Sequence, residues 1–293
     1  MTLPSFSFNT PTRPKDENKF HRLTLLCGVI FLLGANQALA ELMLYPTRLV
    51  IEGNQRSAQV QLINNSTESA TYRISLVNRR MNDVGAFSEI DIPLPGEQFA
   101  DSMLRYSPRQ VTLAPGAGQT VRVMVRKPAN LAGGEYRSHL LFSQQPKAEG
   151  LNSVENLGTA DTGIDIKLTA LVGASIPVIV RQGKTSADVT LTHLELRQPT
   201  SNSPSLEFHM ERTGNQSVYG DLAVSFTSNG GTEQIIGRAN GVAVYTPNAL
   251  RRAHMILQRP GNLRLSNGTL RVTYREQAKD GGKLLAETVL PVH

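Results

Sequence analysis

One stretch limits the possible folds of this chain more than any other. In residues 164–180 every even-numbered residue is apolar. An alternation with a period of two places those side chains on one face of a β-strand. Strands usually span about 3–10 residues, so this run is longer than one edge of a small sandwich uses.

Pro177 lacks a backbone N–H, which predicts that its part of the strand lies at a sheet edge. A long edge strand with one apolar face is suited to pair with another chain. The alternative is that the whole face packs in the chain's own core.

The first 40 residues have the pattern of a secretory signal peptide. Lys19 and Arg22 precede an apolar run over residues 23–33, and Ala38-Leu39-Ala40 follows as a small-residue cleavage site. The apolar run is shorter than the roughly 20 residues that a membrane-spanning helix needs. We therefore expect cleavage after Ala40. Cys27 is the only cysteine in the sequence, so the mature chain must be stabilised by its core and not by disulfides.

The rest of the chain reads as short strands separated by glycine, proline and asparagine turns, without a convincing helical pattern. This spacing predicts an all-β fold built from immunoglobulin-like β-sandwiches. We expect an N-terminal domain of residues 41–181 and a C-terminal domain of residues 182–293, with Gly183 as the pivot. The first strand is predicted over residues 42–52, residues 79–101 are expected to be irregular, and the polar segment 144–163 is expected to be a mobile loop.

The sequence contains no motif typical of catalysis or metal binding. The histidines, at positions 21, 139, 193, 209, 254 and 293, do not follow a metal-ligand spacing. There is no Gly-x-Ser-x-Gly elbow and no Ser-x-x-Lys pair. We therefore expect no enzymatic activity, metal, cofactor or small-molecule ligand. The alternative that stays open is a periplasmic enzyme whose catalytic carboxylates come from distant strands. The formal net charge is +6, but no basic cluster with interleaved aromatic residues appears, so nucleic acid is not an expected partner.

Several motifs follow one another in the first half of the chain. They are TRLVI at residues 47–51, LRYSP at 104–108, VTLAP at 111–115, QTVRV at 119–123 and GEYRS at 134–138. Together with the signal peptide, the two sandwiches and the long alternating strand, they resemble the periplasmic pilus chaperones of the chaperone–usher pathway. The resemblance covers about residues 42–181. GEYRS departs from the family's usual Arg-Glu-Ser signature, which indicates a divergent branch.

The resemblance implies a function and a set of site residues. Such a chaperone binds unassembled pilus or fimbrial subunits in the periplasm, completes their fold with a donated β-strand, and delivers them to an outer-membrane usher. It implies that Arg48 binds the C-terminal carboxylate of the subunit. The family's second basic anchor, a lysine in the closing strand, falls at Val172 when counted back from Pro177, and Lys167 is a nearby lysine. From the length of the alternating run, the donor residues are Ile164, Ile166, Leu168 and Ala170, and residues 172–180 pack in the first domain.

A protein of another class is the main alternative, namely a secreted two-domain adhesin or a pilus structural subunit. A subunit would carry an exposed donor extension just after the cleavage site, whereas the first predicted strand begins here at Leu42. A subunit would also lack a complete second sandwich. The sequence therefore favours the chaperone.

Overall fold

The computed structural model describes residues 42–90, 92–146, 173–198, 203–261 and 263–293. Within these ranges the chain forms 18 β-strands and two single-turn 3-10 helices, Asp101–Met103 and Ala278–Asp280. No helix in the described ranges is long and apolar enough to cross a membrane. The signal-peptide and cleavage-site predictions concern residues outside these ranges.

The first eleven strands build one sandwich and a small hairpin. They are β1 (Leu42–Tyr45), β2 (Leu49–Ile51), β3 (Ser57–Asn64), β4 (Ala70–Val77), β5 (Arg79–Met81), β6 (Phe87–Glu89), β7 (Leu104–Ser107), β8 (Gln110–Leu113), β9 (Gly118–Val125), β10 (Gly134–Gln144) and β11 (Gly173–Gln182). One sheet of the sandwich has the order β1-β3-β9-β7 and the other has the order β2-β11-β10-β4-β8. The antiparallel pair of β5 and β6 forms the hairpin.

The prediction of one continuous first strand over residues 42–52 is wrong. The chain bends at Pro46 and Thr47, so β1 pairs with β3 in one sheet while β2 pairs with β11 in the other. Proline supplies no N–H to a strand ladder, which explains why the ladder is interrupted there. β2 and β11 run parallel, with Leu49 opposite Val178.

The core of the first sandwich lies between its two sheets. Its largest fully buried side chains include Tyr72, Phe142, Leu62, Leu104 and Leu140. Ile176, Val178 and Val180 of β11 pack into the same core. The even-numbered face of the closing strand is thus buried over these three residues, as expected, and residues 164–172 lie outside the described ranges.

The last seven strands form a second sandwich. They are β12 (Ala187–Arg197), β13 (Ser205–Gly214), β14 (Val218–Ser228), β15 (Gln234–Val244), β16 (Leu250–Ile256), β17 (Gly268–Arg275) and β18 (Leu284–Val292). Its sheets have the orders β12-β13-β16 and β15-β14-β17-β18. Phe208, Phe226 and Tyr274 are buried in its core. The prediction of an all-β chain with two immunoglobulin-like sandwiches is confirmed.

Candidate functional site

The second sandwich covers the outer face of the sheet that contains β2, β10 and β11. Alternate residues of a strand point to opposite faces, so one set fills the core and the other set points outward. In β10 the seven residues from Gly134 to Leu140 are nevertheless all buried. Those that point outward include Glu135, Arg137 and His139, each of which contacts the second sandwich or the β5–β6 hairpin. A row of polar side chains is therefore enclosed at the junction of the two sandwiches.

Glu135 links the two sandwiches through its carboxylate. Its side chain is 0% exposed. The carboxylate accepts hydrogen bonds from Arg181 Nε at 3.1 Å, from the backbone N of Ser217 at 3.2 Å and from the Ser217 hydroxyl. Arg181 also donates to Glu52, with 3.0 Å between Nη1 and Oε2. The buried negative charge of Glu135 is therefore paired and hydrogen-bonded, which a charge in this position requires.

Two buried arginines lie near Glu135. Burial lowers the pKa of Arg212 and of Arg137, while the charge of Glu135 acts in the opposite direction on both. Arg212 donates to the backbone oxygens of Gly214 and Gln216, each at 2.8 Å. Arg137 instead lies over the ring of Tyr245, 4.3 Å from its centroid. Among the described residues, its Nε and Nη1 atoms have no hydrogen-bond partner.

His139 continues the row of buried polar residues along β10. Burial, together with the positive charges of Arg137 and Arg79, lowers the pKa of His139 to about 3. Its ring lies edge-on to Phe87 of the hairpin, with 5.3 Å between centroids. This histidine is therefore neutral at physiological pH and packs as a core residue.

The β5–β6 hairpin corrects the expectation that residues 79–101 are irregular. Its Met81 forms a small buried cluster with Ile179 of β11 and with Ala243 and Tyr245 of the second sandwich. Asn248 donates from Nδ2 to the backbone oxygen of Met81 at 2.7 Å. Strands of three residues are too short to show an alternating pattern, so sequence periodicity missed this hairpin, which contacts both sandwiches.

Arg48 lies in a cleft of about 520 Å³ between the two sandwiches. Its guanidinium carbon is 4.1 Å from the centroid of the Tyr219 ring, and its Nη2 is 4.0 Å from Asp280 Oδ2. The side chain is 16% exposed. Within the described ranges the guanidinium donates no hydrogen bond. Arg48 is thus held by an aromatic ring and a distant carboxylate, and its donors stay available to a ligand.

The charged residues that line the cleft balance one another when Arg48 is counted. Besides Arg48, the lining includes the basic residues Arg181 and Lys283 and the acidic residues Glu52, Glu276 and Asp280. The lining of the cleft therefore has no excess of positive charge. Lys167, predicted as a second anchor, lies outside the described ranges, as does Val172.

One edge of β11 is free over half of its length. β10 pairs with β11 from Gly173 to Gln182, whereas β2 pairs with it only at Val178–Val180. Within the described ranges, the opposite edge of residues 173–177 has no partner strand, as Pro177 led us to expect. Because Leu49 is opposite Val178 in a parallel register, Arg48 is level with Pro177. Arg48 therefore stands at the point where the free edge of β11 ends.

The structure locates one of the predicted site residues and adds others. Arg48 lies in a cleft between the sandwiches, and its role as the carboxylate anchor stays a prediction. Ile164, Ile166, Leu168 and Ala170 lie outside the described ranges. Sequence reasoning missed Tyr219 and Asp280, since nothing in a single sequence shows that these residues of the second sandwich approach Arg48. It noted the GEYRS segment but not that Glu135 joins the two sandwiches.

Comparisons with known proteins find solved structures that are partly similar to this chain. No family model matches the sequence, and no curated protein matches it. The YadV chaperone matches with a TM-score of 0.44 and 11% identity, covering 85% of this chain and 98% of that chain. A structure of the CsuC–CsuE complex of a chaperone and a tip adhesion subunit from Acinetobacter baumannii matches with a TM-score of 0.46 and 13% identity, covering 85% of this chain and 98% of that chain. A structure of the Salmonella enterica SafA pilin with the SafB chaperone matches with a TM-score of 0.40 and 14% identity, covering 87% and 98%.

Proposed function

We propose that this chain is a periplasmic chaperone of pilus or fimbrial subunits. In this proposal the first 40 residues are a cleaved signal peptide that directs the chain to the periplasm. The mature protein binds an unassembled subunit, supplies it with a β-strand, and hands it to an outer-membrane usher. Ile164, Ile166, Leu168 and Ala170 are the donated side chains, and Lys167 is the candidate for a second basic anchor.

The observation that carries the proposal is the position of Arg48 at the end of the free edge of β11. A partner strand on this edge would lie in line with β2, which occupies the same edge of β11 from Val178 to Val180. If the partner strand runs parallel to β11, as β2 does, its C-terminal end arrives at Arg48. A chain that ends there presents a carboxylate to the guanidinium. The geometry therefore suits a strand that terminates in the cleft.

The contacts of Arg48 leave room for a partner's C-terminal carboxylate to take the place of the Asp280 carboxylate. The 4.0 Å separation from Asp280 is at the limit of an ion pair, and the Asp280 side chain is 41% exposed, so this contact contributes little. A free C-terminal carboxylate can instead make a bidentate pair with the guanidinium. Hydrogen bonds to charged groups contribute about 1.5–3 kcal/mol. The Tyr219 ring keeps the guanidinium in place for this contact.

The strand pairing supplies the rest of the affinity. Main-chain hydrogen bonds along the free edge are indifferent to sequence, and alternating side chains that enter partner pockets give specificity. Each large aliphatic side chain moved from water into an apolar groove contributes about 1.5–3 kcal/mol. The alternating residues Ile164, Ile166 and Leu168 are therefore sufficient for a stable complex, even after the costs of ordering both chains.

Co-expression with a pilus subunit in a bacterial periplasm tests the proposal. We expect soluble subunit to accumulate as a complex with the chaperone, measured by size-exclusion chromatography and native mass spectrometry. Loss of the carboxylate contact in Arg48→Ala should weaken the complex about 10- to 150-fold. Arg73→Ala is the matched control, because Arg73 is an exposed arginine of β4.

The subunit provides a second control. A short glycine–serine extension at its C-terminus moves the carboxylate away from the anchor and should weaken binding to the wild-type chain as much as Arg48→Ala does. The anchor assignment is wrong if Arg48→Ala or the extended subunit leaves the complex intact. Absence of any complex with subunits of several pilus types would contradict the proposed function itself.

A further inference from the structure

The outer face of the β12-β13-β16 sheet carries three of the six histidines of the sequence. Along β13 the residues Leu206, Phe208 and Met210 are buried, and the residues between them, including His209, point outward with Glu211. His193 of β12 and His254 of β16 are exposed on the neighbouring strands. None of these residues lines the cleft that contains Arg48.

His193 reaches this face because β12 contains a bulge. The register between β12 and β13 shifts between Thr192 and Glu195, and His193 has a φ of 53°. In a regular strand, Thr192 and His193 would point to opposite faces. Here both meet residues of the outer face of β13. Positive φ is uncommon for a residue other than glycine, and bulges of this kind redirect side chains and are frequent beside functional sites.

The redirected imidazole completes a compact group of ligand atoms. His193, His209 and Glu211 each offer one nitrogen or oxygen, and these atoms all lie within 4.8 Å of one another. The two imidazole rings are 4.6 Å apart between centroids, and His193 Nδ1 is 3.8 Å from Glu211 Oε1. Two histidines and a carboxylate from two strands therefore converge on one point.

Thr192 orients two members of the group. Its hydroxyl donates to Glu211 Oε1 at 2.6 Å, so its oxygen is left to accept a hydrogen bond from His193 Nδ1–H at 3.0 Å. This arrangement leaves the lone pair of His193 on Nε2. Metal-binding histidines commonly donate their second N–H to an oxygen in this way, and metal-binding carboxylates are themselves hydrogen-bonded.

We propose that His193, His209 and Glu211 form a binding site for a divalent transition-metal ion, with zinc as the best match. Zinc is bound by imidazole nitrogen and carboxylate oxygen at about 2.0–2.2 Å, and three protein ligands leave one position for water. Imidazole ligands favour zinc, copper and nickel over magnesium and calcium. The His193 side chain is 69% exposed, so an ion can reach it from solvent. The site is independent of the proposed chaperone function.

Zinc titration of the mature chain tests this site. The protein is purified without a histidine tag, treated with a chelator and titrated with zinc ion by isothermal calorimetry. We expect one zinc ion per chain at this site. His209→Gln should weaken binding at least roughly tenfold, since loss of a residue that merely orients a ligand already costs about 10–100-fold. His193→Asn should have the same effect, because asparagine tolerates positive φ and preserves the bulge while removing the imidazole.

His254→Gln is the matched control, because it removes an exposed histidine from the same face outside the group. It should leave the zinc affinity unchanged, and circular dichroism checks that every variant keeps the strand content of the wild type. Absence of zinc binding below millimolar concentration overturns the proposal. So does binding that survives both His193→Asn and His209→Gln, or that falls equally in His254→Gln.

Discussion

Glu135→Gln tests whether the buried carboxylate holds the two sandwiches together. Glutamine has nearly the same shape, but it removes the negative charge that faces Arg181 and the buried Arg212. Removing one partner of a buried ion pair costs about 3–5 kcal/mol, because the remaining charge stays buried without compensation. Glu52 compensates Arg181 only weakly, since its side chain is 58% exposed. We therefore expect Glu135→Gln to lower the free energy of unfolding by about 3–5 kcal/mol.

Urea unfolding of the mature chain measures this effect. With an m-value of about 3 kcal/mol/M, the loss lowers the midpoint by roughly 1–1.7 M urea. Glu207→Gln is the matched control, because it breaks an ion pair between Glu207 and Arg197 in which both side chains are about half exposed. Such surface pairs contribute about 0–1 kcal/mol. A midpoint for Glu135→Gln no lower than that for Glu207→Gln would refute the view that this carboxylate stabilises the junction.

Two further predictions concern the closing strand and the buried histidine. Ile166→Asp or Leu168→Asp should abolish subunit capture without changing the melting temperature of the free protein, whereas Val178→Asp should unfold it; unfolding by the first two would show that the face is buried core from residue 164 onward. The pKa of His139 is about 3 in the folded chain against 6.5 as its ordinary value. As the pH falls, this histidine is therefore protonated in the unfolded chain before it is protonated in the folded chain. Its contribution to stability is complete above pH 6.5 and falls by about 1.4 kcal/mol per pH unit toward pH 3. Below pH 6.5 the urea midpoint of the wild type should fall more steeply with decreasing pH than that of His139→Gln. Equal slopes in the two proteins would contradict the lowered pKa of His139.

Periodic patterns predicted the parts of the fold that depend on neighbouring residues. The alternation around Val178 correctly indicated a strand whose even-numbered residues fill the core, and Pro177 correctly indicated a free edge, because both signals are local. Local alternation did not show that Ile179, on the other face, is also buried. The bend at Pro46 was missed, since the segments on both sides of it are apolar and strand-like although they join different sheets. The three-residue strands β5 and β6 were missed for lack of length.

The candidate site depends on contacts that no local pattern reports. The residues Glu135 and Ser217, which hydrogen-bond, are 82 positions apart, and Tyr219 meets Arg48 only because the sandwiches pack together. The bulge at His193 has no glycine or proline to reveal it. The sequence spacing of His193 and His209 could not predict that they lie close together. Their proximity comes from the pairing of β12 with β13 and from the positive φ of His193.

The parallel pairing of β2 with β11 sets an order of events during folding. Glu52 and Arg181, at the ends of these strands, hydrogen-bond across 129 positions of chain. Closing so long a loop costs more entropy than forming a hairpin, so such contacts form late. If the chain enters its compartment from the N-terminus, Arg48 arrives early but meets Pro177, and then Tyr219, only after most of the polypeptide has followed. Under the proposed function, a partially translocated chain would therefore offer no site for a subunit's C-terminus, and binding would begin only once folding is nearly finished.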